Sequence, residues 1–136
     1  MTGSIIRTTT AAAVGCATVA TVAALAAPAA ATGTRVGIDP GISFGLATNY
    51  GTGCSYAIDG IVDDPVTPVV FYDNSVPFAV ANPSGSLAQA HWTPATPGPH
   101  RLQIWQRHAG AADVFPYVDI QVGTGLPTGS GCAVPG

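Results

Sequence analysis

The sequence predicts an all-β chain folded as a two-sheet sandwich, and three observations predict it. Apolar and polar residues alternate over short runs, the period of two that a pleated strand requires. The 17 glycines and 12 prolines fall between those runs as punctuation, so they read as turns rather than as a low-complexity tract. Neither Glu nor Lys occurs anywhere in the 136 residues, which removes the side chains that normally cover a helix surface. With 47% of residues hydrophobic and a formal net charge of −3, the chain is also apolar enough to fold instead of staying disordered.

The first segment stands apart. A single charge, Arg7, precedes AAAVGCATVATVAALAAPAAA over 11–31, which carries no charge and ends in Ala29, Ala30 and Ala31. A basic start, an apolar stretch and a small-residue end make a secretory signal peptide over 1–31, cleaved after Ala31 or, one bond earlier, after Ala30. Retention as an anchor fits the length of the segment but not its Ala- and Thr-rich composition. Lipidation at Cys16 lacks the expected Leu in Ala13-Val14-Gly15-Cys16. The expected mature domain is 32–136, secreted and without a membrane span. It holds three arginines (Arg35, Arg101, Arg107) against seven aspartates. That distribution excludes the basic stripe a nucleic acid needs.

The strands follow in order. Thr34 to Thr48 gives an apolar run, a turn at Asp39-Pro40-Gly41 and then Ile42, Phe44 and Leu46 in alternation, read as one strand interrupted by its turn. Cys54 to Val62 puts Tyr56, Ile58, Gly60 and Val62 on one face, a buried central strand that begins at a cysteine. Asp63-Asp64-Pro65 ends it. Val66 to Tyr72 holds the strongly β-prone Val69, Val70, Phe71 and Tyr72, with Pro68 near its start where a missing donor is tolerated. Asp73-Asn74-Ser75 then turns into Val76 to Ala81, and Asn82-Pro83-Ser84-Gly85 turns again. Leu87 to Arg107 reads as a hairpin: Ala88, Ala90 and Trp92 alternate on one arm, Leu102 and Ile104 on the other, with Pro94, Pro97, Gly98 and Pro99 forcing the reversal. His108 to Asp113 reads as a flexible loop, Phe115 to Val122 as a last strand with Val118, Ile120 and Val122 alternating, and the tail as aperiodic. About seven short antiparallel strands in roughly 100 residues fit an immunoglobulin-like sandwich, with a small closed barrel as the alternative.

Cys54 and Cys132 remain after processing, and in a small exported domain two cysteines pair by default. The bridge joins an early strand to the tail, so it is expected as a clasp at one end of the sandwich. The expected core is Ile58, Phe71, Trp92, Leu102 and Ile104.

Three stretches, YGTGCSY (Tyr50–Tyr56), PVVFYDN (Pro68–Asn74) and HWTPATPGPHRLQIWQ (His91–Gln106), resemble bacterial Ig-like domains. Their W-T-P-x-x-x-G-x-H pattern is carried here by Trp92, Thr93, Pro94, Gly98 and His100, at what is typically the last hairpin. The tail VGTGLPTGSGC (Val122–Cys132) resembles the small, exported, single-domain type of actinobacteria, and the similarity covers 44–136. It implies a spacer, adhesion module or binding scaffold at a cell surface, with a protein or cell-envelope partner. One departure stands in the strand before Trp92, where Ala-Gln-Ala-His puts His91 in place of a plain Thr.

Catalytic signals are weak. No G-x-S-x-G context surrounds any serine, and His91, His100 and His108 lack metal-ligand spacing, so neither a catalytic residue nor a cofactor is expected. Asp63, Asp64 and Asp73 are the one candidate calcium cluster. Trp105, Arg101, Arg107 and His91 are the candidate contact patch; the competing expectation is Trp105 lying flat across a neighbouring strand with the arginines stacked on it. The expected function is a non-enzymatic binding, adhesion or structural module outside the cell. The alternatives are a small-ligand carrier resembling secreted chromoprotein apoproteins and a protease inhibitor.

Overall fold

The computed structural model describes residues 33–108 and 113–136. The signal-peptide reading over 1–31 lies outside the described residues, as does most of the loop read over 108–113. Strands follow in the order β1 (Gly33–Asp39), β2 (Ser43–Gly45), β3 (Tyr50–Gly51), β4 (Tyr56–Val62), β5 (Val69–Asp73), β6 (Val76–Ala81), β7 (Leu87–Trp92), β8 (Gly98–Gln106), β9 (Tyr117–Gly123), β10 (Leu126–Pro127) and β11 (Cys132–Val134). Seven of these have five or more residues, and they form an immunoglobulin-like sandwich. One sheet has the order β1-β4-β7, and the facing sheet the order β3-β9-β8-β5-β6. The long strands pair antiparallel; the short β3 runs parallel to β9, and the short β2 runs parallel to β11. The fourth long strand, β6, sits at the edge of the larger sheet beside β5, the place of an added edge strand in variable-type domains.

Alternation decides which side of each strand is dry. In β8, His100, Leu102, Ile104 and Gln106 point inward, while Arg101, Gln103 and Trp105 point out. Ile58, Phe71, Trp92, Leu102 and Ile104 are all buried between the sheets. Small and large residues interlock across the interface. Gly60 on β4 faces Ile104 and the Phe71 ring, where a Cβ would press on both, and Ala88 and Ala90 on β7 lie in the same core. Burial of one large aliphatic or aromatic side chain here contributes about 1.5–3 kcal/mol.

Three sequence expectations are corrected. Leu87–Arg107 is not a hairpin: β7 pairs with β4, and β8 pairs with β5 and β9, so the segment crosses from one sheet to the other. Pro94, Pro97 and Pro99 force a reversal, but they do not dictate that the two arms bond to each other. Gly98 completes the crossing at φ +115, a conformation closed to side-chain-bearing residues. Next, Thr34–Thr48 is two strands in two sheets rather than one interrupted strand, because β2 pairs with the tail. The tail, for its part, is ordered into β10 and β11 in spite of its lack of periodicity.

The disulfide Cys54–Cys132 forms, with its Cα atoms 6.1 Å apart. Cys54 stands two residues before β4, and Cys132 opens β11. The bridge fastens the small sheet β10-β11-β2 to the end of the sandwich. Gly45 is required there, since a Cβ would collide with the main-chain carbonyls of Thr48 and Val134. Inside this end, the Tyr56 hydroxyl accepts the Gly51 N–H at 2.7 Å and donates to the Asn49 carbonyl at 3.3 Å. One buried phenol thereby fixes the loop that carries β3.

Candidate binding face

Two polar arrangements stand out, one buried and one exposed. The buried one is built at the crossing between β7 and β8. Trp92 Nε1–H donates to Asp73 Oδ2 at 2.8 Å, and His100 Nδ1 lies 2.7 Å and 2.9 Å from the two Asp73 oxygens. On the far side of the ring, His100 Nε2 is 2.9 Å from the Thr96 carbonyl oxygen. A carbonyl only accepts, so this contact is a hydrogen bond when Nε2 carries the hydrogen. The Trp92 and His100 rings meet edge to face at 5.4 Å. The W-T-P…G-x-H pattern is thus the sequence trace of a structural lock: Trp92 and His100 close on Asp73 across the two sheets.

That lock removes Asp73 from the expected calcium cluster. Asp64 is occupied as well, its Oδ1 accepting the Val66 and Thr67 backbone N–H groups. Hydrogen bonds from the Thr67 side chain and then the Val66 amide hold its carboxyl below the ordinary range. Asp63 and Asp64 follow the end of β4, beside Gln106, whereas Asp73 ends β5 opposite Leu102. Four strand positions, about 13 Å, separate those two levels. Among the described residues no group of three His, Cys, Asp or Glu is placed to hold a metal ion.

The exposed arrangement is the outer face of the five-stranded sheet. Register sets out its rows. Pro77, Tyr72, Gln103 and Tyr117 lie side by side across β6, β5, β8 and β9. One step along, Val80, Val70 and Trp105 form a second row, and on the other side Arg101 pairs with Asp119. Phe115, just before β9, turns its ring edge-on to Tyr72 at 6.4 Å. Tyr72, Ser75, Gln103 and Phe115 line an open cleft of about 410 Å³.

Charge on this face is internally satisfied. Arg101 grips Asp119 in a two-point contact, Nε to Oδ1 at 2.7 Å and Nη2 to Oδ2 at 2.9 Å. The guanidinium lies over the Tyr117 ring at 4.0 Å. The hydrogen bond from Arg101 holds the Asp119 carboxyl below its usual range and raises the guanidinium in turn. Trp105 Nε1–H donates to Asp113 Oδ1 at 3.0 Å.

The predicted patch is therefore divided. Arg101 and Trp105 share the outer face, and Arg107 is exposed just past the end of β8. His91 is corrected: it is exposed on β7, opposite Ala57, and belongs to the other sheet. The arginine stacking expected on Trp105 falls instead on Tyr117. Sequence reasoning missed Tyr72, Gln103, Phe115 and Tyr117 as a group. Outward parity along β5, β8 and β9 marks three of them, but only register places them in one row.

No protein-family model matches this chain, and no curated protein matches it. A solution structure of the CARDB domain of a Pyrococcus furiosus protein is similar at a TM-score of 0.42 and 17% sequence identity, covering 65% of this chain and 92% of that one.

Proposed function

We propose that this protein is an exported, non-enzymatic binding module that meets a cell-envelope partner through the outer face of the five-stranded sheet. One observation carries the reading: Tyr72, Trp105, Phe115 and Tyr117 gather on a face that the interior does not need. Clustered aromatics of this kind are what recognition surfaces are rich in. Export is supported by the disulfide, which suits an oxidising compartment, and by the leader-like composition of 1–31. No helix among the described residues is long and apolar enough to cross a membrane.

The test is co-sedimentation of the purified protein with the cell-envelope fraction of the producing organism. Wild type and His91→Ala are expected to pellet, and Tyr72→Ala with Tyr117→Ala to stay in the supernatant. Equal pelleting of the double variant rules out the face. Turnover of an esterase, glycosidase or peptidase substrate panel rules out the non-enzymatic reading.

A second reading, a small-ligand carrier, has one observation in its favour. A cleft of about 300 Å³ lies beside the disulfide, between Pro40–Ser43, Gly53–Ser55 and Gly129–Cys132. Its lining of glycine, serine and main chain is unlike the apolar walls of most small-ligand pockets. Native mass spectrometry of the secreted form decides this reading: a co-purifying small molecule supports it, and bare protein removes it.

A further inference from the structure

We infer that the cleft between Tyr72 and Phe115 is a subsite for an uncharged saccharide, so that the part of the partner it grips is a neutral glycan. The inference rests on the binding-module reading and names the chemistry of its ligand. Tyr72 stands opposite Gln103, and Gln103 opposite Tyr117. Aromatic, amide and aromatic groups thus cross three strands in one line, with the two tyrosines about 10 Å apart at the strand spacing. Phe115 forms a wall at 6.4 Å from Tyr72, set at 73° to it. The volume of about 410 Å³ lies within the range of small-ligand pockets, about 300–1,000 Å³.

A sugar ring presents a C–H face bordered by hydroxyl groups, each both donor and acceptor. The C–H face packs on an aromatic ring. The hydroxyls need neighbours that also donate and accept, which the Gln103 amide and the Ser75 hydroxyl do. An anionic ligand is disfavoured because the one arginine on the sheet is already committed to Asp119, and the chain as a whole is negative at −3. A lipid chain is disfavoured because it would bury the Gln103 amide and the Ser75 hydroxyl without partners.

The turn beside the cleft points the same way. Asn74 and Ser75 link β5 to β6 with φ of 47° and 69°, the two-residue turn that most readily takes glycine at its second position. Asn74 is locked by the Arg101 N–H, which donates to its Oδ1 at 2.9 Å. Ser75 lines the cleft in a backbone conformation that glycine adopts without strain.

The experiment is affinity electrophoresis of the purified secreted protein through gels cast with neutral glucans, galactans, mannans or arabinans, and with an anionic polysaccharide for comparison. Retardation by at least one neutral polymer is expected, weakened about tenfold by Tyr72→Ala and by Gln103→Ala and unchanged by His91→Ala. Ser75→Gly is expected to weaken it while leaving the protein folded. Gln103 is half-exposed on the sheet surface, so Gln103→Ala carries the test if Tyr72→Ala fails to fold. Retardation by the anionic polymer alone, by no polymer, or equally in Gln103→Ala and wild type overturns the inference. If neutral glycans fail while Tyr72-dependent pelleting with the envelope persists, the saccharide assignment falls and the binding-module reading stands. If both fail, both fall.

Discussion

At Asp73, donors from two strands in opposite sheets converge on one carboxylate. Trp92 arrives from β7 and His100 from β8. Asp73→Ala strands the indole N–H and a buried imidazole nitrogen together, and breaking a buried, hydrogen-bonded pair by removing one partner costs about 3–5 kcal/mol. Urea denaturation is expected to show that loss, with Asp73→Asn intermediate because the amide still accepts from Trp92. A loss below 1 kcal/mol, on the order of an exposed contact, would mean the lock is not structural. Arg101 and Asp119 work differently, since both are exposed. The fold lowers the Asp119 carboxyl, so its contribution is present above the ordinary carboxylate range and is lost as pH falls through the folded value. The stability difference between wild type and Asp119→Asn is accordingly expected to be constant near neutrality and to vanish in acid. A difference that persists in acid would show that the charge is not its source.

At the scale of elements, the β5–β6 turn carries the clearest tension between stability and use. Ser75 at φ 69° is a non-glycine residue in left-handed backbone, a conformation that costs roughly 1–2 kcal/mol for a residue with a Cβ. Ser75→Gly relieves that strain but adds unfolded-chain entropy, for a net gain of about 0.5–1 kcal/mol. A higher thermal midpoint together with weaker glycan retardation is the expected pair of results. A higher midpoint with unchanged retardation would make the serine incidental. Another element holds by a single side chain: Gln106 Nε2 donates to the Asp64 and Thr67 carbonyls, both at 2.7 Å. The loop between β4 and β5 is thus tied to the inner face of β8.

Over the whole molecule, the disulfide joins positions 78 apart in sequence, a loop whose closure is worth about 4–5 kcal/mol on chain-entropy grounds. The small sheet β10-β11-β2 has only two- and three-residue strands, too short to hold alone. Replacing both cysteines by serine is therefore expected to release the tail before the sandwich. Amides of β11 should lose hydrogen-exchange protection while those of β4 and β8 keep it. Protection retained in β11 would show that strand pairing, not the bridge, fixes the tail. This end of the molecule also exposes Ile42, Phe44, Leu46 and Leu126, and no charged side chain occurs in 40–58 or 120–136. The charges sit toward the other parts of the chain, so the two ends of the sandwich differ in chemistry.

Period-two alternation was enough to mark β4, β8 and β9 and to say which residues of each face inward, because parity is a local property of an extended chain, while β-propensity marked β5. Pairing of Cys54 with Cys132 followed from compartment and count. Alternation is silent about which strand lies beside which. Leu87–Arg107 reads the same whether its arms bond to each other or cross between sheets, and only the folded chain shows the crossing. Nothing along the chain marks His100 as a partner of Asp73 and Trp92; the crossing brings the three together. Tyr72, Gln103 and Tyr117 lie up to 45 residues apart, and their row exists only through cross-strand register. The sequence by itself determined most of the long strands and the inward sides of those that alternate, which depend on neighbours along the chain, and the bridge, which followed from the count of cysteines. The tertiary structure decided the lock and the binding face, because both are made of residues that meet only when the sheets assemble.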